Sequence, residues 1–249
     1  MTLSSSNINL DYFLAVQQTF SDTLHECQGD NKMLPALMTQ SYQLLDDSIA
    51  AQTEDLPEIA CHKGCAACCT VRVVATAPEV LMAARYIRAA DNILKQKGID
   101  LAQRLAEADA ATRGNDKQQR VSLKRRCPYI DKGACVIYPV RPLACRGHAS
   151  YDKRACIEAA ASRRSEVPYS VPHMNTRSLV QNALQSALRD AGYPWATYEL
   201  NHALRIALEN EECETAWYNG EDVFVDAMDT EVSLTEMAQT FDHIFGILS

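Results

Sequence analysis

Apolar residues along this chain recur mostly at intervals of three and four, the spacing that lines one face of an α-helix. Leu10, Phe13, Leu14, Phe20 and Leu24 mark one such face, and Leu34, Leu37, Leu44, Leu45 and Ile49 a second. The spacing therefore predicts two amphipathic helices that pair as an N-terminal hairpin. Thr76-Ala77-Pro78-Glu79 has the form of a capping box, in which Thr76 accepts from the Glu79 amide while the Glu79 carboxylate reaches back. A helix is predicted to start there, with Val80, Ala84 and Ile87 on its inner face, and Leu101, Leu105, Ala108 and Ala111 predict another. From Arg113 to Arg126 the pattern turns polar and basic, as a solvated connection would. Val180, Ala183, Leu184, Ala187, Leu188 and Ala191 then form a long stripe closed by Gly192, suited to a left-handed C-cap, and by Pro194. Leu200, Ala203, Leu204, Ala207 and Leu208 repeat the pattern. A second capping box, Ser233-Leu234-Thr235-Glu236, opens a last helix expected to bury Leu234, Met237, Ala238, Phe241, Ile244 and Phe245.

Strand signals are few, and only 9 glycines and 9 prolines punctuate 249 residues. The prediction is a mainly α fold with an irregular, cysteine-rich core and one short β-hairpin. It divides into a helical hairpin at residues 1–55, a cysteine-cluster region at 56–160 and a helical region at 161–249, together one compact domain. The hairpin is placed by Asp131-Lys132-Gly133, a turn signal between two short apolar runs.

Composition, 47% hydrophobic and 22% charged, is that of a globular protein and argues against disorder. No run approaches the roughly 18–20 uncharged apolar residues of a membrane span. Met1–Phe20 has no basic segment ahead of an apolar one, so a cytoplasmic location is expected. In a reducing compartment ten cysteines read as metal ligands or redox groups rather than disulfide partners. No Walker loop, glycine-rich dinucleotide fingerprint or internal repeat is present, so nucleotide binding is not expected.

Eight of the ten cysteines fall in two groups. Cys61, Cys65, Cys68 and Cys69 lie within nine residues; Cys127, Cys135, Cys145 and Cys156 follow. A two-residue gap between Cys65 and Cys68 lets one turn aim both sulfurs at one ion, and Gly64 lets the backbone bend close by. Short gaps of this kind are equally usual around iron–sulfur clusters. Adjacent Cys68 and Cys69 diverge, which implies two roles. All eight are candidate metal ligands, for Zn2+ or an iron–sulfur cluster. Cys27 and Cys213 stand alone on helical segments and read as structural, and His62 and His148 are the histidines nearest the cluster.

Cys61, Cys65-x-x-Cys68-Cys69, then Cys127-Pro128-Tyr129-Ile130-x-x-Gly133-x-Cys135 and Ile137-Tyr138-x-x-Arg141-Pro142-x-x-Cys145-Arg146 resemble the CxxCxxCC cysteine-cluster family over residues 61 to about 156. One departure is the gap of three residues between Cys61 and Cys65. The resemblance implies chelation of zinc or iron by these cysteines and, by analogy with flagellin lysine methylases of larger architecture, an iron–sulfur centre. The helices at 1–55 and 175–249 have no counterpart in that pattern.

Charge refines the expectation. The net −8 divides into 8 basic and 14 acidic side chains over residues 1–112, 14 and 5 over 113–177, and 2 and 13 over 178–249. Lys63, Arg72, Arg126, Lys132, Arg141, Arg146, Lys153 and Arg154 lie near cysteines, where cations stabilise a thiolate site carrying about −2. Lys153 and Arg154 read better as a solvated face. The basic centre and the acidic C-terminal part are candidate protein-partner surfaces; a nucleic-acid partner is not expected, since aromatics are few there and the acidic part can cover the basic one. The leading function is a metal-binding protein. The alternative is an iron–sulfur-dependent enzyme modifying a protein, such as a lysine N-methylase, with Tyr138 and Arg141 as its polar candidates; a methyl donor would need a glycine-containing nucleotide loop, and none is present.

Overall fold

A computed structural model describes residues 5–161 and 166–246; the expected boundary near 161 borders residues 162–165, outside the described residues. The fold is mainly α, with two small antiparallel strand pairs among the described residues. Helices α1 (Ser5–Glu26) and α2 (Met33–Thr53) pack on each other as the apolar spacing predicts. Phe13, Phe20, Leu24, Leu34, Leu37 and Leu45 are buried, while Leu10, Leu14, Leu44 and Ile49 are half-buried. Strand β1 (Val74–Thr76) runs into α3 (Ala77–Gln96) through the expected capping box, with the Thr76 amide donating to Glu79 Oε2 at 2.7 Å. In α4 (Leu101–Thr112) Leu101, Leu105 and Ala108 are buried, but Ala111 is exposed and Thr112 takes its place.

The expected solvated connection at 113–126 contains a helix, α5 (Lys117–Ser122), capped by Asp116. Its inward residue is Arg120, which sequence periodicity scores as polar. The aliphatic stem can be buried because the guanidinium finds a carbonyl, Arg125 O at 3.2 Å. Strands β2 (Ile130–Asp131) and β3 (Ala134–Cys135) form the predicted hairpin, with Lys132 and Gly133 both in the left-handed region (φ +46° and +86°) that a two-residue primed turn requires. Two short helices follow, α6 (Leu143–Arg146) and α7 (Lys153–Ala160), carrying Cys145 and Cys156.

Helix α8 (Val171–Asp190) packs against both α1 and α2. Its predicted stripe is buried except Ala191, which lies past the helix end and is exposed, and Gly192 adopts the expected left-handed conformation (φ +80°). Strand β4 (Thr197–Glu199) pairs with β1, Val74 opposite Glu199, and leads into α9 (Leu200–Glu209). Helix α9 packs against α3, α4 and α10 (Cys213–Tyr218). Helix α11 (Leu234–Gly246) buries Phe241 alone, between the rings of Phe13 and Trp195; the other five residues expected in the core are half-buried, because this last helix lies on the core from one side. One continuous apolar cluster runs through all three expected regions, including Leu37, Ile137 and Leu184. The acidic C-terminal part meets cations nearer the cluster, Asp229 with Arg72 (2.9 Å) and Glu231 with Lys117 (2.5 Å). No helix among the described residues is long and apolar enough to cross a membrane.

Candidate metal centre

The first cysteine group forms an irregular loop between α2 and β1. Two consecutive turns shape it: the Cys65 amide donates to His62 O (2.9 Å) and the Cys69 amide to Ala66 O (3.2 Å), with Gly64 at φ +97° inside the first. The second group is stitched to the first through the backbone, since the Cys127 amide donates to Cys69 O at 2.7 Å. A further stitch joins residues 60–61 to the segment after α6. The Ala60 amide donates to Ser150 O (2.8 Å), and the Ser150 amide donates to Cys61 Sγ (3.4 Å).

Helix α6 is pinned at both ends. At its start the Leu143 amide donates to Glu79 Oε1 at 2.6 Å, so the carboxylate that caps α3 also holds the segment carrying Cys145. At its end Gly147 lies against α8, where an added Cβ would stand 2.3 Å from Arg177 Cβ and 2.9 Å from His173 O. Only a residue without a side chain lets α6 approach so closely.

These ties bring seven of the eight predicted cysteines, Cys61, Cys65, Cys68, Cys69, Cys127, Cys135 and Cys145, onto the wall of one cavity of about 590 Å3. Cys156, on α7, does not line it, but is close enough for its charge to act on Cys61. All ten cysteines are unpaired thiols. Their mutual influence divides them: Cys61 senses Cys68, Cys65 and Cys156, whereas Cys145 senses Cys127 and Cys135 and, more weakly, Cys68. Among the described residues no three His, Cys, Asp or Glu side chains already converge at metal-ligand spacing. The lone cysteines behave as expected of structural residues: Cys213 is buried, and Cys27 packs against the core.

Environment sets the thiols' protonation. The neighbouring Cys69 thiol and burial push Cys68 up to about 12; burial pushes Cys127 up to about 12 and Cys145 higher, and raises Cys61 and Cys135 less. Backbone amides oppose the rise at three of them, Ser150 at Cys61, Tyr129 at Cys127 and Ile137 at Cys135, and the Arg141 guanidinium opposes it at Cys135 and Cys145. Amides and a cation aimed at sulfur favour the thiolate that a metal needs. At neutral pH the five thiols so raised are protonated in the metal-free chain, so metal uptake should release roughly one proton for each of them engaged. Calorimetric titration in buffers of different ionisation enthalpy reads that number, and a value near zero would contradict the assignment. The sign for the metal-free chain follows from the same shifts. Unfolded thiols ionise near 9 while the folded ones hold their protons towards about 12, so stability falls as pH rises through that window.

His148 stands beside Cys68, its Nε2 buried without a hydrogen-bond partner, and its ring lies against Tyr169. That orphaned nitrogen and the soft thiol set fit a thiophilic metal, with His148 as an adjacent ligand or donor. His62 is exposed and bonded to the Lys63 carbonyl. Two cations lie over the Tyr138 ring, Arg141 4.3 Å and Lys63 5.7 Å from its centre, which ties the first loop to the second group. Arg146 instead stacks on Tyr42, and Lys153 and Arg154 are exposed, as their reading as a solvated face expects. Sequence reasoning missed the Ser150 amide, the second bond of Glu79 and the close approach at Gly147. Of these only Gly147 left a sequence signal, a glycine two residues from a candidate ligand.

No curated protein and no solved structure matches the chain significantly. Residues 60–164 match the family model CxxCxxCC, described as "Putative zinc- or iron-chelating domain", a span that contains all eight clustered cysteines; α1, α2 and α8 to α11 lie outside it. Over those residues the chain is similar to the CxxCxxCC family.

Proposed function

We propose that this protein chelates zinc or iron through two neighbouring sets of thiolates, Cys61, Cys65, Cys68 and Cys156 in one and Cys69, Cys127, Cys135 and Cys145 in the other. The observation that carries this reading is the single cavity on which thiols from the loop at 61–69, the 127–135 hairpin and α6 meet. Contrary to the divergence expected of adjacent residues, the Cys68 and Cys69 thiols lie against each other, so the two sets adjoin at this pair, with one thiol assigned to each. The bond from the Cys127 amide to Cys69 O associates Cys69 with the second group. Four thiolates fill the tetrahedral sphere of zinc, and the same number holds an iron–sulfur cluster. Either way the thiols draw together on binding, and the free energy of that closure becomes stability of the loops.

Anaerobic purification followed by elemental analysis and a visible spectrum tests the reading. Brown protein with iron, inorganic sulfide and broad absorption near roughly 400 nm assigns iron–sulfur centres, and colourless protein with about two zinc ions per chain assigns zinc. Protein that holds neither metal beyond traces, even after reconstitution, overturns chelation.

A further inference from the structure

The cavity is larger than thiols and their ions require. Its volume of about 590 Å3 compares with roughly 30 Å3 for a water molecule and lies within the roughly 300–1,000 Å3 typical of small-molecule pockets. Helix α8 also lines the cavity, where it contributes Arg177, Gln181 and Asn182 and no acidic side chain. Gln181 is only 5% exposed; its Oε1 accepts from Arg177 Nη1 (3.4 Å), which leaves its amide nitrogen as a donor. Arg141 also lines the cavity. Its guanidinium faces Tyr138, Cys135 and Cys145, with no ion pair to a carboxylate among the described residues, and its Nε is sealed from solvent without an acceptor. Buried donors seldom go unpaired, and a guanidinium presents its donors as a planar fork matched to a carboxylate.

We infer that the cavity takes, beside the metal, a small molecule bearing a carboxylate, clasped by Arg141 and lying along Gln181 on α8. This rests on the chelation reading only for what occupies the thiol end. Besides thiols, hydroxyls and imidazoles, the donors on the lining are cationic or amide, its one carboxylate, Asp229, is held by Arg72, and valines and Leu200 supply apolar wall for a short carbon chain. Arg141 also favours the Cys135 and Cys145 thiolates, so acid binding is read separately from metal content.

The test uses full-length, metal-loaded protein in carboxylate-free buffer, titrated calorimetrically with straight-chain acids from acetate to adipate, with metal content measured on the same samples. Dicarboxylates should bind about tenfold more tightly than acetate, because the chain fills apolar wall. Arg141→Gln should weaken adipate binding about tenfold when affinity is referred to the metal-loaded fraction of the sample, as loss of a charge-assisted pair would. Gln181→Leu should have a smaller effect in the same direction. If Arg141→Gln misfolds, Arg141→Lys keeps the charge without the fork and should still weaken binding. No acid binding to metal-loaded wild type, tighter binding of inorganic phosphate than of any carboxylate, or an Arg141→Gln protein that loses metal while binding adipate normally would each overturn the inference. Wild type that takes up no metal even after reconstitution yet still binds adipate would sink chelation alone.

Discussion

Cys65→Ser and Cys135→Ser should each remove about half of the bound metal, and the double substitution nearly all of it, because each strips one thiolate from a different set. A serine hydroxyl is a harder, far weaker acid than a thiol, and it does not replace a thiolate on zinc or on an iron–sulfur cluster. A set reduced to three thiolates exchanges its ion readily. Stability should fall with it, since binding energy that closes the loops is folding energy. The measurable pair is metal per chain and the thermal midpoint followed by helical circular dichroism. Cys27→Ser and Cys213→Ser serve as controls: Cys27, in the turn after α1, lies against the core and Cys213, on α10, within it, both outside the matched residues, and neither should change metal content. Complete loss from either single substitution would point to one shared centre in place of two, and undiminished metal in both would remove these residues from the ligand set.

The helical part of this fold was legible because its period is short and its stripes are long. Val180, Ala183, Leu184, Ala187 and Leu188 specify a buried face by themselves, and Gly192 marks its end because the C-cap needs a left-handed residue. The hairpin of Cys127 and Cys135 was legible for the same local reason, a two-residue turn at Lys132 and Gly133. What stayed hidden is what depends on distant partners. Strands β1 and β4 are three residues each and pair across more than a hundred positions, too short to show a period of two. Helix α5 reads as solvated because its buried residue is an arginine. The cluster itself divides likewise. Which cysteines take part is written in their spacing, while how they are gathered depends on the Ser150 amide, the Cys69 carbonyl and Glu79, none of which has a distinctive pattern.

Glu79 carries the second large expectation. The capping box explains only half of its bonding: Oε2 accepts from the Thr76 amide (2.7 Å) and hydroxyl (2.8 Å), but Oε1 reaches across 64 positions to the Leu143 amide. Burial raises the pKa of this carboxyl, and these donors, with the Arg177 charge, work against that rise. Glu79→Ala strands two backbone amides in a sealed environment, so it should destabilise by about 2–4 kcal/mol once relief of the desolvated carboxylate is set against them. That is a large share of the roughly 5–15 kcal/mol that hold a domain together. Glu79→Gln keeps an acceptor for Leu143 but turns an NH2 group towards the Thr76 donors, so its loss should be intermediate. Gly147→Ala attacks the other end of α6 by forcing a Cβ into Arg177 and the His173 carbonyl, an overpacking that should cost about 1–3 kcal/mol. If α6 positions Cys145, both Glu79→Ala and Gly147→Ala should shed metal from the second set while the set around Cys65 stays filled, a pattern visible as about half-occupancy in elemental analysis. A Glu79→Ala protein with a lowered urea midpoint and full metal content would show instead that the carboxylate caps α3 and has no part in placing the thiol.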